Sequence, residues 1–147
     1  MLTLFHAPDS RSTRFIWLLE ELGAPYEIAY VEVRRRDGSG GPDPRNPHPS
    51  KQVPALVHDG VLVTESAAIA CYLTDAFPQN GLGPLVGDPL RGPYLTWLAH
   101  YAGVVEPVGD LLAAHAAAAI ELRVVPSLWP LHDLAVSDRW DFSIVRM

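Results

Sequence analysis

The chain has 147 residues, 48% of them hydrophobic, and a formal charge of −6. That length suits one ordinary domain or a small domain with part of a second, and the acid excess argues against a nucleic-acid backbone as the main partner. No apolar run approaches the roughly 20 residues that cross a bilayer, so no membrane span is expected. Six histidines lie without metal-ligand spacing and Cys71 is the single cysteine, so no metal site and no internal disulfide are expected. The opening stretch MLTLFHAPDS has neither the basic start nor the long apolar run of a secretory signal, and with the sparse cysteine it points to the reducing cytoplasm.

Leu2 to His6 reads as a strand, followed by a Pro-Asp-Ser turn cluster. Phe15, Leu18, Leu19 and Leu22 then recur at helical spacing, with Gly23 as the stop. Tyr26 to about Val33 alternates and is rich in β-formers, which predicts a second strand. Residues 34–51, RRRDGSGGPDPRNPHPSK, are crowded with glycine and proline and hold little to bury, so a mobile loop is expected.

Two short apolar runs then flank Asp59-Gly60, the strongest short-range signal for a two-residue hairpin turn, because both central residues need positive φ. Thr64, Glu65 and Ser66 follow, and a helix is predicted from Ser66 to about Phe77, with Ile69, Leu73, Ala76 and Phe77 as its buried stripe. Residues 1–80 therefore read β-α-β-loop-β-β-α, a small α/β layer whose first two strands run parallel and whose hairpin adds antiparallel strands. The linker PQNGLGPLVG separates this from a helical region over 88–147. That region reads as two helical stretches interrupted near Gly103 and Pro107, and the last stretch, from Pro126 onward, shows no sustained periodicity.

The segments HAPDSRSTRFIWLLEELG, NPHPSKQVPALV and TESAAIACYL, in that order and spacing, resemble the N-terminal domain of the glutathione transferases, in particular the bacterial and theta-like members that use serine. The resemblance covers residues 1–80, continues through GPLVGDPLRGPYLTWLAHYAGVVEP, and fades past about Asp110. It implies a thioredoxin-like domain at 1–80 that binds glutathione as a co-substrate, with no other cofactor. An incomplete all-α domain at 88–147 follows.

By the same resemblance, Ser10 stabilises the glutathione thiolate, Val53-Pro54 with a cis bond holds the cysteinyl part, and Glu65-Ser66 holds the γ-glutamyl end. Gln52 stands where many members carry a lysine, with Lys51 one place early, and either is a candidate for the glycyl carboxylate. The chemistry is coherent. A free thiol with a pKa of about 8.5 is only a few per cent thiolate at neutral pH, and lowering that pKa by ~2 units takes about 2.7 kcal/mol. A hydroxyl donor and a helix N-terminus both favour the anion.

Simpler roles stand beside these. Ser10 and Ser12 are each candidate N-caps of the first helix, Ser12 is the rival thiol partner, and Glu65-Ser66 also reads as a capping pair. Arg11 is either a source of positive potential or a solvated side chain, and Arg34 to Arg36 read as a solvated loop face. Cys71 reads as a packed small hydrophobe, and Trp97 with Tyr101 as core or interface. The family's helical bundle supplies one wall of the electrophile pocket, and the tail here does not resemble the rest of that bundle, as a truncated gene or a shifted reading frame would produce. Two functions are therefore expected. One is an enzyme that activates glutathione against a small electrophile, a disulfide or a peroxide, as a homodimer if the helical part suffices. The other is a glutathione-binding or interaction module without turnover.

Overall fold

The computed structural model of the chain describes residues 1–118. Strands β1 (Leu2–His6), β2 (Tyr26–Tyr30), β3 (Ala55–His58) and β4 (Val61–Thr64) form one sheet in the order β2-β1-β3-β4. β1 and β2 are parallel, while β3 is antiparallel to both β1 and β4. Helix α1 (Thr13–Leu22) joins the parallel pair, and α2 (Ser66–Ala76) follows the hairpin. This is the small α/β layer read from the sequence, in the thioredoxin-like arrangement that the resemblance implies.

The period-2 geometry of β1 places Leu2, Leu4 and His6 on one face, and all three are buried. Leu2 and Leu4 join Leu56 of β3, Phe15, Leu19 and Leu22 of α1, and Ile69 and Leu73 of α2 in a single core. Leu18 packs at the margin of that core. On α2 the third buried residue is Thr74, not Ala76. A hydroxyl is tolerated there because Thr74 Oγ1 donates to the α2 carbonyls of Ala70 and Cys71, at 3.1 and 3.0 Å, or meets Tyr94 Oη at 2.9 Å.

Gly23 ends α1 in the left-handed conformation, φ 60°, with its N–H on the carbonyl of Glu20. Asp59 and Gly60, at φ 49° and 83°, make the two-residue turn between β3 and β4. β2 ends at Tyr30, three residues before the expected Val33.

The segment between β2 and β3 is irregular, as its glycines and prolines predict, yet it does bury side chains. Asp43 and Asn46 are 6% and 0% exposed. Asp43 accepts from the Glu32 N–H and from Arg45, while Asn46 Nδ2 donates to the Gln52 carbonyl and its Oδ1 accepts from the His48 N–H. Buried side chains bonded to backbone replace the missing secondary structure, so the expected mobile loop is an anchored one.

A 3₁₀ turn (Pro78–Asn80) follows α2, and α3 spans Arg91–His100. The α-helical winding is interrupted at Gly103, as the sequence suggests, whereas Pro107 lies in the first turn of the helix that follows. Residues Tyr101–Val105 wind as a π-turn that leads into α4 (Glu106–Ala118), since proline lacks the N–H an α-helical bond would use. Close contacts group residues 1–107 as one compact unit. The sequence reading of Pro126 onward lies outside the described residues.

Candidate functional site

The strand register brings the separate motifs to one end of the sheet. Phe5 pairs with Ala55, and Ala55 in turn pairs with Thr64. The turn after β1, with Ser10, therefore opens at the same sheet end as Gln52, Val53 and Pro54 before β3, and Glu65 and Ser66 after β4. His6 pairs with Tyr30, so the segment after β2 starts there too.

The Val53–Pro54 bond is cis. Pro54 is buried, Val53 is half-buried and Gln52 is exposed. Glu65 occupies the N-cap position of α2 at φ 68°, ψ 123°, a conformation that side-chain-bearing residues rarely adopt, and it is solvent-exposed. Its side chain makes no capping bond, and among the described residues the Ser66 hydroxyl has no hydrogen-bond partner. Glu65-Ser66 is thus not a capping pair. A carboxylate and a hydroxyl stand open at the positive end of a helix dipole.

Ser10 and Ser12 separate clearly. Ser12 is fully buried, whereas Ser10 is half-buried. Neither caps α1 through its side chain in the usual way. Ser12 sits at the N-cap position with no side-chain capping bond, and its oxygen faces inward, 2.7 Å from His6 Nδ1. Ser10 Oγ donates to the Ala7 carbonyl at 2.6 Å, lies 2.6 Å from Ser12 Oγ, and accepts from the Ser12 N–H at 3.3 Å. His6 is 5% exposed, and burial pushes its pKa below the ordinary 6.5, so it is neutral at physiological pH. The edge of its ring meets Tyr30 at 5.6 Å between centroids. Sequence reasoning missed His6, although its alternation with Leu2 and Leu4 marks it as a core-facing polar group beside the serines.

A cavity of about 290 Å³ is lined by Gln52, Lys51, Ser50, Pro42 and Arg34. Lys51 Nζ donates to the Asn46 carbonyl at 2.6 Å. Arg34 is exposed, as the solvated-face reading expects, and it also lines this cavity with Gln52 and Lys51. Nothing in its local sequence signals that, because the position depends on how the 31–54 segment folds back.

A second, mainly apolar cavity of about 360 Å³ lies among Phe15, Trp17 and Leu18 of α1, Ser66 and Ala70 of α2, and Leu98 of α3. It adjoins Ser66, and Ser10 is not among its lining residues. Arg14 also lines it, bonded to Glu106 at 2.7 Å and lying 5.3 Å from the Tyr101 ring centre. Arg11 approaches the same Glu106 at 3.6 Å, so it is neither simply solvated nor an uncompensated positive charge. Trp97 and Tyr101 are 68% and 41% exposed rather than core. Cys71 is half-buried and accepts a hydrogen bond from Arg91 Nη2 at 3.1 Å, a polar contact that the reading as a packed hydrophobe did not include. No cluster of metal-ligating side chains occurs among the described residues.

Comparison with known proteins agrees with the fold. The family model described as the N-terminal domain of glutathione S-transferase matches residues 1–75. A second model, described as a family of unknown function (DUF6886), matches residues 92–147. Glutathione S-transferase 3 of Schizosaccharomyces pombe (strain 972 / ATCC 24843) is 45% identical over 73 residues, which are 50% of this chain and 29% of that protein. Glutathione S-transferase GstA of Escherichia coli O157:H7 is 33% identical over 100 residues, 67% of this chain and 50% of that one.

Among solved structures, a sphingomonad glutathione S-transferase complexed with glutathione matches at a TM-score of 0.58 and 35% identity, covering 68% of this chain and 50% of that one. A glutathione transferase from Methylococcus capsulatus str. Bath matches at a TM-score of 0.58 and 34% identity, covering 69% of this chain and 50% of its own. The fold and the matched half define a thioredoxin-like transferase domain. The chain belongs to the glutathione transferase family. It spans half or less of the length of the curated relatives it matches.

Proposed function

We propose that this chain binds glutathione and stabilises its thiolate for attack on a small electrophile, or for reduction of a disulfide or peroxide. The observation that carries the reading is the convergence of three motif segments at one sheet end, with Glu65 and Ser66 free of capping bonds. Glutathione's γ-glutamyl end carries a carboxylate and an ammonium. The Ser66 hydroxyl and the α2 N–H groups suit the first, and the Glu65 carboxylate suits the second. The Val53 backbone takes the cysteinyl part. Gln52 takes the glycyl carboxylate, helped by Arg34 across the same cavity; Lys51, with one of its three ammonium protons on the Asn46 carbonyl, adds charge and further donors.

Ser10 is the thiol partner in this reading. Its half-burial leaves the oxygen within reach of a ligand, whereas fully buried Ser12 offers no such access. The hydroxyl donates to the anionic sulfur and keeps its own proton. A charge-assisted bond of about 1.5–3 kcal/mol covers much of the ~2.7 kcal/mol that a two-unit pKa drop takes. The apolar cavity beside Ser66 lies at the γ-glutamyl end, so the electrophile is not assigned to it.

A division into a glutathione-binding domain at 1–80 and a helical domain at 88–147 belongs to the same proposal, as do a cytoplasmic location and a homodimer. Neither nucleic acid nor membrane is a proposed partner. No helix among the described residues is long and apolar enough to cross a membrane. A second reading, a glutathione-binding module without turnover, rests on residues 92–147 matching a family of unknown function. Calorimetric titration of the full chain tests binding, which both readings share. Glutathione should bind the unaltered chain, and the Glu65→Ala, Ser66→Ala double variant should lose that binding. Equal binding by the double variant would remove the γ-glutamyl assignment.

A further inference from the structure

The Ser10, Ser12 and His6 side chains form one hydrogen-bonded line, and counting its protons fixes the direction. The Ala7 carbonyl can only accept, so the 2.6 Å contact to it uses the Ser10 proton. The 2.6 Å contact between Ser10 and Ser12 must then use the Ser12 proton. With that proton spent, the 2.7 Å contact between Ser12 Oγ and His6 is donated by the ring, which places a proton on His6 Nδ1. The Ala7 N–H supplies a second donor to Ser12 Oγ at 3.3 Å. The reverse direction would leave the Ser10 oxygen and the Ala7 carbonyl 2.6 Å apart with no proton between them.

We propose that His6 and Ser12 are positioning residues that act through this line, occupying a lone pair of Ser10 so that its proton points only outward, to the Ala7 carbonyl or to a ligand sulfur. This inference rests on the glutathione reading above. When a thiolate arrives, the Ser10 side chain rotates so that its oxygen moves off the Ala7 carbonyl and its O–H turns to the sulfur, while it still accepts from Ser12. No proton changes owner. The bond accepted from Ser12 polarises the Ser10 O–H and makes it a better donor, since hydrogen bonds in series strengthen one another in a low-dielectric site. Both residues of the relay are buried, His6 at 5% and Ser12 at 0% exposure, so water does not compete for these bonds.

His6 Nδ1 donates whether the ring is neutral or protonated, so the orientation of Ser10 does not depend on the charge of His6. The signature is instead in the bound thiol. His6→Leu and Ser12→Ala should each leave roughly two- to fourfold less thiolate at neutral pH in the glutathione complex, read by ultraviolet thiolate absorbance over a pH series. Glutathione affinity by calorimetry should stay within about threefold, because the relay touches no other part of the ligand. His6→Asn should restore the unaltered value, since its amide N–H lies where Nδ1 lies, and His6→Gln should not. A merely structural role would not separate Asn from Gln in this way.

Nitrogen NMR of the labelled, ligand-free chain gives an independent readout, expected to show the Nδ1–H tautomer of His6. An Nε2–H tautomer would overturn the relay whatever binds. Unchanged thiol pKa in both His6→Leu and Ser12→Ala, with normal glutathione binding, would overturn it while leaving the glutathione reading intact. Failure of the unaltered, folded chain to bind glutathione would overturn the glutathione reading and this role together.

Discussion

Glu65 concentrates the tension between stability and function at a single residue. At φ 68°, ψ 123° a side-chain-bearing residue is strained by roughly 1–3 kcal/mol, whereas glycine adopts the conformation freely at an entropic cost of roughly 0.5–1 kcal/mol. Glu65→Gly should therefore leave stability unchanged or raise it by about 1 kcal/mol in urea unfolding, while glutathione binding falls. A clear loss of stability would mean that the carboxylate supports the fold and not a ligand. His6 sets a pH dependence of known sign. Burial lowers its folded pKa below 6.5, so the unfolded chain takes up a proton that the folded chain resists. Its contribution is fully present above about pH 6.5 and is lost as pH falls from there through the folded pKa. Unfolding at stepped pH should show this decline, and His6→Asn should flatten it; an equal slope in the variant would assign the decline elsewhere. Asp43 acts in a lower window, because its bond to Arg45 holds its carboxyl well below the ordinary 3.8.

Among the elements, α2 does most to join the parts of the first unit. It begins with Glu65-Ser66, buries Ile69 and Leu73 in the core, and bonds onward to α3. Arg91 of α3 grips Asp75 at 2.6 and 2.8 Å, and Thr74 meets Tyr94 at 2.9 Å. The linker passes so close that a methyl group on Gly83 would come within 2.7 Å of Thr74 Cβ. Thr74 is β-branched, buried and hydrogen-bonded, so it cannot swing aside. Gly83→Ala should cost about 1–3 kcal/mol in chemical unfolding, and Gly41→Ala, with open space around it, should cost much less. Equal costs would show that the Thr74 contact does not hold the linker. These contacts mark the limit of what the chain discloses as text. The hairpin at Asp59-Gly60, the α1 stop at Gly23 and the helix after Ser66 were legible because local backbone chemistry dictates them. So were the site segments, whose motifs are short and contiguous. The anchored 31–54 segment, Arg34 in the cavity and the Arg91–Cys71 contact were not, because each depends on residues far apart in sequence coming together.

At the scale of the whole molecule, the chain spans half or less of the length of the curated relatives it matches. The residues proposed to hold glutathione lie within 1–75, which the transferase family model covers, while residues 92–147 match a family of unknown function. The measurement that most directly tests the central claim is the pKa of the glutathione thiol bound to the full chain, compared between the unaltered protein and Ser10→Ala. The account predicts a thiol pKa in the complex clearly below the free value of about 8.5, raised by at least one unit on loss of the Ser10 hydroxyl, with affinity little changed. A bound thiol that titrates like free glutathione in the unaltered chain would contradict it, and so would an unmoved pKa in Ser10→Ala.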